Sequence, residues 1–259
     1  MDSVLTTEHL VQYAGKMAKW SLESGDNLIW YLKTLANFSD YSVNNQLLIL
    51  GYNPTAQYIK GYDEWQEFGV IVNQDSTIIP IIEPVNDGYQ IKYMLDYRDT
   101  NYSYTPMEND KLMCLEALLT NKDIGVSVVD EIKVGVRAMY IPEQNVILVK
   151  RSNQVSTDVF FTSIITEKVH AYFAKENEGV YKRSVNQFTA TAVSYALGLK
   201  YEMNVDNIKL SNLPEKYTKL SETLAKKELD KITKAYNMIN RDIKKNLQLI
   251  KERDVKIER

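Results

Sequence analysis

Residues 77–97, TIIPIIEPVNDGYQIKYMLDY, constrain the fold of this chain more than any other stretch. Two β-rich runs, STIIPIIEPV and GYQIKYMLDY, flank an Asn-Asp-Gly turn, a sequence that closes an antiparallel hairpin. The segments before it have a different period. EHLVQYAGKMAKWSLES places Leu10, Val11, Ala14, Met17 and Ala18 at helical spacing, and DNLIWYLKTLANF does the same after Asp26, read as its cap. YSVNNQLLILGYN reads as a third helix that stops near Gly51 and Pro54. Helices packed beside a small antiparallel sheet make an α+β protein, and the rest of the chain repeats the theme.

KLMCLEALLTN returns to helix, with Cys114 as a small core residue. VGVRAMYIPEQNVILVK reads as two strands around a Pro-Glu-Gln-Asn turn. Two helices follow, STDVFFTSIITEKVHAYFAKE and SVNQFTATAVSYALG; in the second, Ser184 and Gln187 have capping-box spacing and Gly198 is the expected stop. After SNLPEKY a helix of about forty residues is expected, with Leu229, Ile232, Tyr236, Ile239, Ile243, Ile250 and Ile257 on one stripe that Asn246 and Arg253 interrupt. That stripe suits packing on its own domain or, for its distal part equally, a helical hairpin or coiled-coil dimer.

No apolar run is long enough to cross a membrane. The N-terminal residues lack a basic start followed by an apolar block, so no secretory signal is expected. The single cysteine excludes an internal disulfide, and the expected compartment is the cytoplasm. Charge is uneven: residues 1–150 hold 11 Lys+Arg against 20 Asp+Glu, and residues 151–259 hold 20 against 14. An acidic front half matches nucleic acid poorly, whereas the basic rear half tolerates it.

SIITEKVHAYF carries the chemistry. Glu167 and His170 have the spacing of the second half of H-E-x-x-H, a helix that grips Zn²⁺ with two imidazoles one turn apart and activates its water with the glutamate. Thr166 stands at the first histidine's position, and the only other histidine is His9. One imidazole without thiolates falls short of the usual three protein ligands of a catalytic zinc. A lone histidine on an apolar helix is more often a core residue.

In order, these motifs resemble the ArdC/LtrC-type proteins of plasmids and conjugative elements, over roughly residues 7–240. The N-terminal stretch is similar through Asn45, Pro54, Ala56, Gly61, Trp65, Gly69 and Pro84, followed by Asp96 and Thr100. SIITEKVHA falls at the family's H-E-L-x-H-A helix, and NQFTATAVSYALGLKY at the next helix, where an Ala-Glu pair supplies the third ligand. The resemblance implies a single-stranded-DNA-binding domain over 1–105, a zincin-like metallopeptidase unit over 106–212 and a helical C-terminal extension over 213–259. It also implies departures. Thr166 and Thr191 (after Ala190) replace two of three metal ligands, so neither zinc nor another cofactor is expected, and Glu167 and His170 become vestigial. NQDSTI, residues 73–78, replaces a basic glycine-containing turn and removes lysines that would meet phosphates.

Candidate nucleic-acid-binding residues are Asn45, Tyr58, Lys60, Tyr62 and Trp65, because single-strand binders stack bases on aromatic rings. The competing and commoner reading packs Trp65 in the core beneath a wet tyrosine surface. Three functions are compatible with these residues. The expected one is a non-catalytic, nucleic-acid-binding or antirestriction accessory protein of a mobile element. Close behind is an interaction scaffold that meets a protein partner or a second copy through residues 226–259. A zinc metallopeptidase ranks well below both.

Overall fold

The computed structural model describes residues 5–105, 109–120, 123–152, 154–176 and 181–257, with side chains to residue 254. It is α+β, and its residues group into two compact units: 1–107 with 210–230, and 108–209 with 231–259. Residues 213–259, expected as one extension, are therefore divided between the two.

In the first unit three helices begin at hydroxyl caps, each satisfying an amide that the first turn leaves open. Thr6 caps α1 (Thr7–Ser21), Ser24 caps α2 (Gly25–Phe38) and Ser42 caps α3 (Val43–Tyr52). The cap of α2 is thus Ser24, whose Oγ accepts from the Asn27 amide at 3.1 Å, and not Asp26. Gly25 is required there, because a Cβ would collide with the backbone of Leu210. The expected hairpin is present: β2 (Ile79–Val85) pairs antiparallel with β3 (Gly88–Asp96), with Val85 opposite Gly88. A short β1 (Ile59–Gly61) pairs on the other side of β3, giving the order β1-β3-β2, and leads into α4 (Tyr62–Glu67). Phe38, Ile49, Ile59, Ile79, Ile81 and Met94 pack as a core between helices and sheet. The short helix α8 (Glu215–Thr218) completes the labelled helices of this unit apart from the start of the last helix.

The second unit contains α5 (Lys111–Leu119), β4 (Gly125–Val129), β5 (Ala138–Ile141), β6 (Val146–Lys150), α6 (Thr157–Glu176) and α7 (Arg183–Lys200). β5 and β6 are the expected pair around a Pro-Glu-Gln turn, which Asn145 ends in the left-handed region at φ 48°. β4, unforeseen in the sequence, lies parallel to β6 in the order β4-β6-β5. It is short and mostly faces solvent, and although Ile124, Val126 and Val128 alternate with Gly125 and Ser127, the run is too brief and glycine-broken to announce a strand by itself. α7 does not stop at Gly198. That residue lies inside the helix, where a Cβ would strike Val205 and crowd Thr162 of α6, so the glycine permits close approach rather than termination.

The final helix, α9 (Glu222–Ile257), crosses the boundary between the units at residue 230. Its stripe residues Leu229, Ile232, Tyr236, Ile239, Ile243 and Ile250 are all buried; the side chain of Ile257 lies outside the described residues. The two residues that interrupt the stripe dock the helix on α5. Asn246 Nδ2 donates to the carbonyls of Ala117 and Thr120 at the end of α5, and Arg253 pairs with Glu116 at 2.7 Å. An amide at that place satisfies carbonyls that the helix itself leaves open. Among the described residues, no helix is long and apolar enough to cross a membrane.

Candidate functional site

α6 brings Thr166, Glu167 and His170 to its face toward α7, and α7 presents Gln187 and Thr191 in return. Neither threonine behaves as a ligand. Thr166 Oγ1 donates to the Thr162 carbonyl at 3.0 Å and Thr191 Oγ1 to the Gln187 carbonyl at 2.9 Å, the back-bonding that helical threonines favour. Together with Thr162, Ser163, Ser194 and residues 207–209 they line a shallow cleft of about 220 Å³.

Glu167 is 3 % exposed, and both its oxygens are taken. Arg183 grips it bidentately, Nη1 to Oε2 at 2.7 Å and Nη2 to Oε1 at 2.5 Å. The Tyr140 amide donates to Oε2 as well, at 2.8 Å. β5 is an edge strand, and Glu167 therefore closes one of the backbone groups that an added peptide strand would use.

His170 is fully buried, and both ring nitrogens are engaged. Tyr181 Oη lies 2.5 Å from Nδ1 and Gln187 Oε1 lies 3.2 Å from Nε2. One tautomer satisfies every group. Gln187 Nε2 donates to Thr191 Oγ1 at 3.3 Å, so its Oε1 faces the ring and accepts from Nε2–H, leaving Nδ1 to accept from Tyr181. Burial, reinforced by the Arg183 charge, depresses the imidazole to about 4, which keeps it neutral; burial also raises Tyr181 to about 12, which keeps its proton. The next residue on α6, Lys168, is 4 % exposed, and burial lowers its ammonium to about 8 against the pull of Asp242 and Asp123.

This arrangement does not fit a metal. The single ring lone pair of His170 and both oxygens of Glu167 already accept hydrogen bonds, positions 166 and 191 offer hydroxyls tied to backbone, and the described residues contain no group of three His, Cys, Asp or Glu able to hold an ion. Cys114, on α5, is buried and its thiol is pushed up to about 11 by burial, which makes it a core residue.

The nucleic-acid candidates separate into two groups. Trp65 is fully buried with its indole N–H donated to the Leu95 carbonyl at 3.1 Å. Asn45 spends its whole amide on the edge strand β2, Nδ2 to the Ile82 carbonyl at 2.8 Å and the Ile82 amide to Oδ1 at 2.9 Å. Both are structural. Tyr58, Lys60 and Tyr62 do reach the surface. Lys60 Nζ lies 5.5 Å from the Tyr58 ring centre and 4.8 Å from that of Phe68, and Tyr62 and Phe68 are 52 % and 60 % exposed.

Sequence reasoning missed the rest of this face. Tyr104 stacks on Tyr58 at 5.1 Å and 7°, Tyr102 stacks at 6.2 Å, and Tyr97 touches Tyr104 at 5.1 Å. The signal was the run YRDTNYSY, with three tyrosines in eight residues just after β3. Asp96 positions this run: fully buried, it accepts the amides of Gln57 and Tyr58 and the Arg98 side chain. The Arg183, Tyr181 and Gln187 contacts were also missed, Gln187 having been read as half of a capping box. α7 starts at Arg183 behind Lys182, and Gln187 turns to His170 instead.

Comparison with known proteins finds no matching family model and no matching curated protein. Among solved structures the chain is similar to the antirestriction protein ArdC from plasmid R388. Its Mn(II)-bound form matches at 13% identity over 78% of this chain and 83% of that one, with a TM-score of 0.50. The metal-free form matches at 13% identity, over 78% and 84%, with a TM-score of 0.46. At such identity the likeness concerns architecture alone: this chain shares the fold of that protein.

Proposed function

We propose that this chain is an antirestriction-type protein of a mobile element, that it works without peptidase chemistry, and that it holds single-stranded nucleic acid on the aromatic face of its first unit. The plasmid antirestriction protein whose fold it shares supports the first part. The observation that carries the second is the set of hydrogen bonds that engages both oxygens of Glu167 and both ring nitrogens of His170 within the protein. Tyr58, Lys60, Tyr62, Phe68, Tyr97, Tyr102 and Tyr104 support the third. Every base has a π-face, and rings beside one ammonium accept bases without regard to sequence.

Binding of this kind rests on stacking more than on phosphate contacts. With Lys60 as the cation of the face, the salt dependence is shallow, with a logarithmic slope of about −0.7 where a strongly basic groove gives several times more. Fluorescence anisotropy with a labelled oligothymidylate at low salt tests the reading. Replacing Tyr62 and Phe68 together by alanine is expected to weaken binding tenfold or more, since each stacked base is worth about 1–3 kcal/mol. No binding by the wild-type chain, or binding indifferent to those substitutions, refutes it. The non-catalytic part fails separately, if the chain purified without chelator carries stoichiometric transition metal and loses a hydrolytic activity on Glu167→Gln.

A further inference from the structure

Three side chains from one short segment, Tyr181, Arg183 and Gln187, hold the two groups on α6 that a zincin-type helix reserves for metal chemistry. Tyr181 takes Nδ1 of His170, Gln187 takes Nε2, and Arg183 takes both oxygens of Glu167. The segment sits at the start of α7 (Arg183–Lys200), so the same backbone that packs α7 against α6 delivers all three. Gln187 is itself exposed, yet His170 beneath it is fully buried, so the carboxamide caps Nε2 from the solvent side. It also bridges His170 to Thr191, the position on α7 where the family resemblance implies a ligand.

We propose that residues 181–187 form an intramolecular plug, in which the amide of Gln187 and the guanidinium of Arg183 have taken over the contacts of a metal ion and its water. The inference rests on the reading that the chain works without metal, and goes one step beyond it. Loss of the ligands at 166 and 191 is then only half of the change. A metal site is not recovered by restoring those two side chains alone, because Nε2 of His170 carries a proton directed at Gln187.

Two measurements on the full chain test this, and neither depends on activity. The first is Co²⁺ binding, followed by the visible absorption of the ion, in the pair Thr166→His with Thr191→Glu and in the same pair carrying Gln187→Ala. The expected result is at least tenfold tighter binding when Gln187 is removed. Equal affinity in the two variants overturns the plug. Stoichiometric Co²⁺ binding by the wild-type chain would instead overturn the metal-free reading, so the two failures are distinguishable.

The second uses wild-type ligand positions and therefore survives if the multiple variants do not fold. The chain has two histidines, the exposed His9 and the buried His170. Carbethoxylation by diethyl pyrocarbonate, read by peptide mass spectrometry, is expected to modify His9 and spare His170. Gln187→Ala is expected to speed modification of His170 at least tenfold while His9 is unchanged. Rapid modification of His170 in the wild-type chain, or no acceleration in the variant, overturns the proposal.

Discussion

Arg183→Leu is expected to destabilise the second unit by about 3 kcal/mol, and the figure follows from what Glu167 would keep. Its side chain is 4 % exposed and accepts three hydrogen bonds, two from Arg183 and one from the Tyr140 amide. Without the guanidinium a buried carboxylate retains a single neutral donor. Breaking a buried pair in this way costs about 3–5 kcal/mol. The lower end applies here because the Arg183 side chain is 43 % exposed, so water reaches the gap. Glu167→Leu removes the charge with its partner's need for it and leaves a half-exposed arginine, so it costs less. The double variant recovers part of the Arg183 loss, with a coupling of about 2 kcal/mol in the cycle. Urea unfolding followed by far-ultraviolet circular dichroism is the appropriate assay. Trp20, Trp30 and Trp65 all belong to the first unit, so tryptophan emission does not follow the loss. An Arg183→Leu stability within about 0.5 kcal/mol of wild type, the range of an ordinary surface change, would mean that Glu167 is solvated and that the site was misread.

Three further outcomes are expected. Asn45→Ala strips both the N–H and the carbonyl of Ile82 of their partner on edge strand β2, and tryptophan emission should report a loss of about 2–3 kcal/mol in the first unit. Acid should unfold the chain through His170: its folded value, about 4, lies below the ordinary 6.5, so the unfolded chain takes up the proton first. Stability is full above about pH 6.5 and falls by up to roughly 3 kcal/mol as pH drops to about 4. His170→Phe should flatten that part of a urea-midpoint profile; an unchanged profile would refute it. Lys168 works at the alkaline end. Its folded value of about 8 lies below 10.5, so stability rises by up to roughly 3 kcal/mol between those values. Lys168→Met should remove the rise and stabilise the chain at neutral pH; a less stable variant would show the ammonium to be well paired.

The pattern of elements was legible because it is written locally. β-rich runs on either side of Asn86-Asp87-Gly88 make a hairpin through the local turn, and the 3–4 spacing of Ile232, Tyr236, Ile239 and Ile243 makes a helix with one buried face. β4 escaped because three alternating apolar residues, Ile124, Val126 and Val128, are too few to tell a short edge strand from a loop. Thr166 and Thr191 could be picked out only through resemblance, to the H-E-x-x-H motif at 166 and to the family at both, which implies metal ligands at those places; the sequence itself shows two threonines there.

What became of the residues left behind could not be read in that way. Nothing near Gln187 in sequence reveals that it faces His170, nor that Arg183 reaches Glu167 sixteen residues back, nor that Asn246 meets the end of α5. Asn45 shows the same limit: a nucleic-acid-binding candidate by sequence, it clamps a strand edge. Apolar residues announce their environment through period, because burial against any apolar partner has nearly the same value. A polar side chain has no such generic partner. Its role depends on the one donor or acceptor that packing brings within about 3 Å, and only the tertiary structure decides which group that is.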